Sequence, residues 1–173
     1  PKTIIKKGDF NYANEMVEFI KENYLDINIL VAAYPEKHPH SNCISTDIDF
    51  FVNKVNAGAD KAVTQYFYNI DAYLHFIEEV QKRNIDIPIT PGIMPITNYD
   101  QLIYFSKTCG AEIPAWILNK LKLYKNDLNS LKEFGEDVVS EMCLKLKDNG
   151  VSSFHFYCLN KAEPTLSIVK KIT

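Results

Sequence analysis

Val31–Gln65 reads VAAYPEKHPHSNCISTDIDFFVNKVNAGADKAVTQ, and its pattern decides the fold class. The apolar run Ile29-Leu30-Val31-Ala32-Ala33 predicts a strand over Ile29–Tyr34, stopped by Pro35. A polar loop carrying His38 and His40 follows. Ile48, Phe51, Val52 and Val55 then recur at i, i+3, i+4 and i+7, which predicts a helix over Thr46–Ala57 with that face buried. Asp47, Phe50 and Lys54 fall on a different face of it. Thr46 with Asp49 resembles a capping box, and Gly58 suits the residue just past the helix end. The apolar run Ala62–Tyr68 predicts a second strand. Strand, helix, strand is a βαβ unit, so the strands are expected to be parallel with a right-handed crossover. In such folds ligands bind where strands end and helices begin, which is where this polar loop falls.

Working outward, the same alternation continues. Residues 1–10 read as a loop with a Gly8-Asp9 turn, and Asn11–Asn23 as a helix. Helices are expected at Asp71–Arg83, at Tyr99–Lys107, from Ile113-Pro114 onward, at Leu128–Lys147 and at Glu163–Lys171. Two further strands are expected, at Ile87–Thr90 and Phe154–Leu159. Strands rich in apolar residues and fed by helices predict a parallel sheet covered on both sides. A closed (β/α)8 barrel needs about 250 residues, so four strands in 173 residues make either a small open α/β domain or half a barrel. One domain is expected. The chain opens with Pro1-Lys2 in place of methionine, which points to a processed product or a fragment.

Composition narrows the function. The chain is 46% hydrophobic with net charge −3, and Arg83 is its only arginine, so no nucleic-acid partner is expected. No apolar run is long enough for a membrane helix and no signal peptide is visible, so a cytoplasmic protein is expected. Cys43, Cys109, Cys143 and Cys158 lack Cys-x-x-Cys spacing and read as reduced thiols. His38 and His40 have no cluster of Cys, Asp or Glu beside them, so no metal is expected. A Gly-x-Gly-x-x-Gly motif and a Walker loop are both absent. The predicted strand ends carry Tyr34, Gln65, Tyr66, Phe67 and His155-Phe156-Tyr157. An aromatic, amide-lined pocket of this kind suits a flat conjugated ligand.

Taken together, Ala-Ala-Tyr-Pro-Glu-x-His-Pro, Asn-Ala-Gly-Ala-Asp, Thr-Gln-Tyr-Phe-Tyr, Pro-Gly-Ile-Met-Pro-Ile, Ile-Pro-Ala-Trp and Phe-His-Phe-Tyr-Cys-Leu-Asn-Lys-Ala-Glu closely resemble methylenetetrahydrofolate reductase, in order and across nearly the whole chain. The resemblance implies an FAD-containing (β/α)8 TIM barrel of which this chain is about half, strands five to eight. Its activity would pass hydride from NADH or NADPH through FAD to methylenetetrahydrofolate in a ping-pong cycle, serving one-carbon metabolism and methionine biosynthesis. The general acid would lie upstream of Pro1, with the missing N-terminal half. A homo-oligomer is implied for the complete barrel. The alternative is a non-catalytic flavin-binding or assembly half that needs a second polypeptide.

Position by position, the resemblance assigns Tyr12, Ala13, Ala32, Tyr34, His38, Ser41, Asp47, Lys54, Val63 and Tyr157 to the cofactor. It assigns Gln65, Gln101, Phe105 and Lys161 to folate or nicotinamide. Three positions depart from the family pattern: Phe50 stands where some relatives have Asn, Asn53 where they have Arg, and Lys161 where an Arg could fork onto a carboxylate. The change at Asn53 implies one phosphate cation fewer.

Overall fold

The computed structural model describes residues 8–173; residues 1–7 of the expected N-terminal loop lie outside the described residues. In chain order the elements are α1 (Ala13–Asn23), β1 (Leu30–Ala33), α2 (Ile44–Asn56), β2 (Lys61–Tyr66) and α3 (Ile70–Lys82). Then follow β3 (Ile89–Ile93), α4 (Tyr99–Cys109), α5 (Ala115–Leu123), α6 (Leu128–Asp148), β4 (His155–Phe156) and α7 (Ala162–Ile172). The strands are all parallel and stand in the order β1-β2-β3-β4. A doubly wound sheet reverses its strand order at a switch point; this one progresses without reversal, as a (β/α) barrel does.

The sheet differs from the expectation of cover on both sides. Val31 and Ala33 of β1, and Ala62, Thr64 and Tyr66 of β2, are buried against helices. Leu30, Ala32 and Lys61 are exposed, and Val63 and Gln65 are only partly covered. Register pairs Leu30 with Lys61 and Ala32 with Val63, so these residues share one face. Among the described residues that face is open. Helix periodicity could not reveal this, because small or apolar residues occupy both faces of β1.

Strand and helix ends moved for identifiable reasons. β3 was expected to stop at Thr90 but continues through Pro91 and Gly92. The pairing shifts between Val63 and Tyr66, and there the Gly92 N–H donates to Thr64 Oγ1 at 2.9 Å in place of a ladder carbonyl. A Cβ on Gly92 would stand 2.2 Å from the Thr64 carbonyl oxygen, so only glycine lets β3 lie this close to β2. β4 is shorter than expected because Leu159 and Asn160 take positive φ (49° and 59°) and turn the chain away. α2 begins at Ile44, two residues early, with Asp47 N–H already bonded to Cys43 O at 3.1 Å. The expected capping box is therefore not formed: Thr46 lies 3.1 Å from the Cys43 thiol, and Asp49 pairs at 3.1 Å with Arg83, just past the end of α3. Gly58 does follow the helix end, at φ 113°.

Two apolar clusters hold the layers together. One joins Val17 of α1, β1, Ile48 and Phe51 of α2, Ala62, and Phe76 and Val80 of α3. The other joins Tyr66, Phe67 and Ile93 to Leu102, Ile117, Leu121, α6 and Ile168 of α7. Among the described residues no helix is long and apolar enough to cross a membrane.

Candidate functional site

The β1–α2 loop is shaped by one carboxylate. Asp47, in the first turn of α2, accepts from Ser41 Oγ at 2.6 Å and from the His38 backbone N–H at 3.0 Å. It is 9% exposed, so the loop folds back over the helix N-terminus, where a negative charge is favoured. The His38 ring accepts from the His40 N–H at 3.1 Å and stands edge-on to Tyr34, with centroids 4.7 Å apart. Lys37 reaches the Ser41 carbonyl at 2.7 Å. Further along α2, Lys54 donates to the Ala32 carbonyl of β1. Burial pushes the Lys54 ammonium below its usual range, opposed by the Asp47 charge. Burial, with Asp47 nearby, pushes the Tyr34 phenol up.

These groups wall a cavity of about 570 Å³. Its lining contains Tyr12, Ala13, Tyr34, His38, Ser41, Asp47 and Lys54, seven residues from three separate stretches that the sequence had assigned to one cofactor. Ala33, His40, Phe50, Phe51, Asn11 and Asn14 complete it and were not assigned from the sequence. Phe50 is 49% exposed and adds an aromatic surface where a departure from the family pattern had been noted. The i, i+3 and i+7 spacing of Asp47, Phe50 and Lys54 was the available signal for Phe50. Nothing local to Asn11 or Asn14 announces a wall, since α1 reaches the cavity only through tertiary packing.

The remaining assigned residues stand elsewhere. Ala32 and Val63 share the open sheet face and do not line the cavity. Tyr157 donates to the Thr64 carbonyl at 3.0 Å and packs beside Gly92, which gives it a structural bond across β2 and β3. Gln65 also lies on the open face, with Oε1 turned back to accept from Tyr66 N–H at 3.0 Å. Gln101 and Phe105 ride on α4, whose buried residues are Leu102 and Ser106, and Phe105 touches the larger apolar cluster. Lys161 lines a separate, mostly apolar cleft of about 660 Å³ between the β3–α4 and β4–α7 connections. Among the described residues no group of three or more His, Cys, Asp or Glu is placed to hold a metal ion.

Chemically the cavity offers one ammonium, one carboxylate, the Ser41 hydroxyl, two imidazoles and the four aromatic rings of Tyr12, Tyr34, Phe50 and Phe51. That set can grip phosphate, sugar hydroxyls and a flat ring at once. Its volume lies in the usual range of about 300–1,000 Å³ for cofactor clefts.

Comparison with known proteins gives the chain its relatives. The 5,10-methylenetetrahydrofolate reductase of Buchnera aphidicola subsp. Acyrthosiphon pisum is 41% identical over 157 residues, 91% of this chain and 53% of that protein. The protein of the same name from Escherichia coli is 37% identical over 157 residues, with the same shares. The chain thus spans about half the length of the curated relatives it matches. A solved Clostridium thermocellum structure, described as an uncharacterized protein that binds two copies of 5-methyl-5,6,7,8-tetrahydrofolic acid, superposes with a TM-score of 0.63 at 20% identity. That match covers 92% of this chain and 57% of the other, and shows a shared fold. The family profile for methylenetetrahydrofolate reductase matches residues 2–173, and this chain belongs to the methylenetetrahydrofolate reductase family.

Proposed function

We propose that the chain is a single domain forming half of a (β/α)8 barrel, with β1–β4 as strands five to eight. The complete protein reduces 5,10-methylenetetrahydrofolate to 5-methyltetrahydrofolate with NADH or NADPH, using FAD held in the β1–α2 cavity. The open face of the sheet becomes the barrel interior in this reading. The observation that carries it is the convergence on one cavity of cofactor size of seven residues that the family resemblance assigns to FAD.

The donor set fits FAD. Lys54 spends one ammonium proton on the Ala32 carbonyl and keeps two for phosphate oxygens. Asp47 is held rigid by Ser41 and His38, and its spare lone pairs can accept from ribose hydroxyls. Tyr34, Tyr12 and Phe50 give flat surfaces and keep water from the bound face. When bound, FAD supplies the hydride-carrying ring system. Gln65 presents amide N–H groups on the open face, where they can meet the carboxamide of a nicotinamide or the edge of a pterin. Gln101 and Phe105, one turn apart on α4, offer an amide and a ring to the same ligand, and Lys161 a cation to its carboxylate end.

The test is FAD binding to the full-length protein. A charge-assisted hydrogen bond contributes roughly 1.5–3 kcal/mol, so Lys54→Ala is expected to raise the FAD dissociation constant at least about tenfold. Unchanged FAD retention on dilution would take Lys54, and with it the cavity, out of the site. Folate reduction by the FAD-loaded protein tests the substrate assignment.

A further inference from the structure

Glu36 is absorbed by none of these roles. It sits in the β1–α2 loop, just before the cradle residues His38 and Ser41. Its Oε2 accepts from the Glu112 backbone N–H at 2.8 Å, a bond between segments 76 residues apart. Its Oε1 is buried and has no hydrogen-bond partner. The same two segments touch again at Gly110, the left-handed cap of α4, where a Cβ would lie 3.1 Å from the Lys37 carbonyl oxygen and 3.2 Å from Pro39. A third tie comes from the sheet: Tyr66 Oη and Ser106 Oγ of α4 are 3.2 Å apart. Glu36, Gln65, Tyr66, Cys109 and Ala111 close around one small void at this junction.

We propose that Glu36 is a positioning residue whose carboxyl fixes the cradle loop against the end of α4, and so sets the distance between the cofactor cavity and the pair Gln101 and Phe105. The proposal rests on the reading of that cavity and that pair given above.

The chemistry makes the joint sensitive to charge. An ionised carboxylate with one buried, unpaired oxygen is costly, so the neutral form is favoured. Burial pushes Glu36 from 4.5 up to about 7; the Glu112 charge adds to this and the Glu112 N–H opposes it. The other groups around it do not supply a balancing charge. Lys37 is turned toward Ser41, Cys109 lies on α4, and the Tyr34 and Tyr66 phenols are both raised above their usual range. The folded protein therefore binds a proton that the unfolded chain has lost between 4.5 and about 7. Stability from this site falls as pH rises across that window, and the folded joint, protonated below about 7, is tight there and strained above it.

In the FAD-loaded full-length protein, the KM for methylenetetrahydrofolate is compared at about pH 6 and about pH 8.5, on either side of the transition. The wild type is expected to show a KM about threefold or more higher at the upper pH. Glu36→Gln keeps a neutral acceptor for Glu112 and should hold the low KM at both. Glu36→Ala should show the high KM at both, with FAD content unchanged throughout. A readout free of activity accompanies these: the Glu112 amide resonance should titrate near 7 in the wild type and not in Glu36→Gln. The proposal is overturned if Glu36→Gln keeps the wild-type pH dependence of KM and of the Glu112 amide. It is equally overturned if Glu36→Ala lowers the melting temperature but leaves KM alone. If the wild type reduces no folate while the Glu112 amide titrates through Glu36, the joint stands and the reductase reading falls.

Discussion

The two sides of the sheet's length are built on different principles. Around β1 and α2 polar bonds are added to the apolar cluster: Asp47 to Ser41 and His38, Lys54 to the Ala32 carbonyl, and Lys21 of α1 to Asp60 at 2.8 Å. Around β3 and α6 the connections are close-packed. Phe67 stacks on Tyr73 with centroids 5.0 Å apart, Ile117, Leu121, Leu131 and Leu146 are fully buried, and backbones meet where only glycine fits. Gly135 of α6 shows this directly, since a Cβ there would lie 2.4 Å from the Ile96 carbonyl oxygen. The contrast teaches a division of labour. A binding wall needs polar groups with capacity to spare, whereas the frame that holds it relies on close apolar packing.

The sharpest test of that contrast uses two thiols. Cys43, at the exposed N-terminus of α2, has its thiol lowered by Thr46 and by backbone N–H groups there. Cys143, inside the α6 core, is pushed by burial from 9.0 up to about 12. The thiolate is the nucleophile, and at neutral pH its fraction at Cys43 exceeds that at Cys143 by at least roughly a thousandfold, so Cys43 should alkylate much faster, with burial adding its own block. Mass-spectrometric mapping of iodoacetamide labelling in the native protein checks this, and equal labelling would mean that the α6 core is not closed.

The next test strikes the packed side. Gly92→Ala forces a methyl group to within 2.2 Å of one backbone oxygen and 2.6 Å of the Tyr157 ring. Overpacking of this kind costs about 1–3 kcal/mol and more where backbone must yield, so a loss of about 3 kcal/mol is expected in denaturant unfolding. A change under about 0.5 kcal/mol, the size of a neutral surface substitution, would show that β2 and β3 can separate freely.

Phe105 lies at the border of the two regimes, touching the core yet placed one turn from Gln101. If its ring serves the ligand, Phe105→Ala should raise apparent substrate constants about two- to tenfold, as stacking contributes about 0.5–1.5 kcal/mol. Truncating a core phenylalanine would instead cost about 3–5 kcal/mol of stability. Paired kinetics and melting curves decide which regime owns it.

The smallest effect is expected from Lys21 and Asp60. The hydrogen bonds from Lys21 and the Ile29 N–H, with the Lys21 charge, hold the Asp60 carboxyl below its usual 3.8. A lowered carboxylate contributes stability above the unfolded value and loses it as pH falls from 3.8 toward the lowered value. Both side chains are partly exposed, so the contribution is modest. Asp60→Asn should flatten the acid limb of the stability curve without shifting the neutral-pH cavity, and an unchanged acid limb would remove the pair from the account.

Much of this was legible in the sequence because its causes are local. Ile48 and Phe51 at helical spacing, and Gly58 just past the end of α2, each follow from the chemistry of a few neighbouring residues. The β-strand, helix, β-strand order around Val31–Gln65 required parallel pairing, and the pairing is parallel. The residues that the family resemblance assigns to one cofactor come from α1, the β1–α2 loop and α2, and seven of them line one cavity.

Tertiary structure decided the rest, for a reason that sequence spacing does not carry. Which residues touch across 76 positions, as Glu36 and Glu112 do, depends on how loops land once the sheet has ordered. Asp47 could be expected to face a ligand, but only the fold shows its two oxygens already engaged by Ser41 and His38. Gly92 looked like a strand terminator in sequence. In three dimensions it is the place where β2, β3 and Tyr157 come too close for any side chain, because a parallel sheet spaces its strands by hydrogen bonds and leaves the side chains to fit.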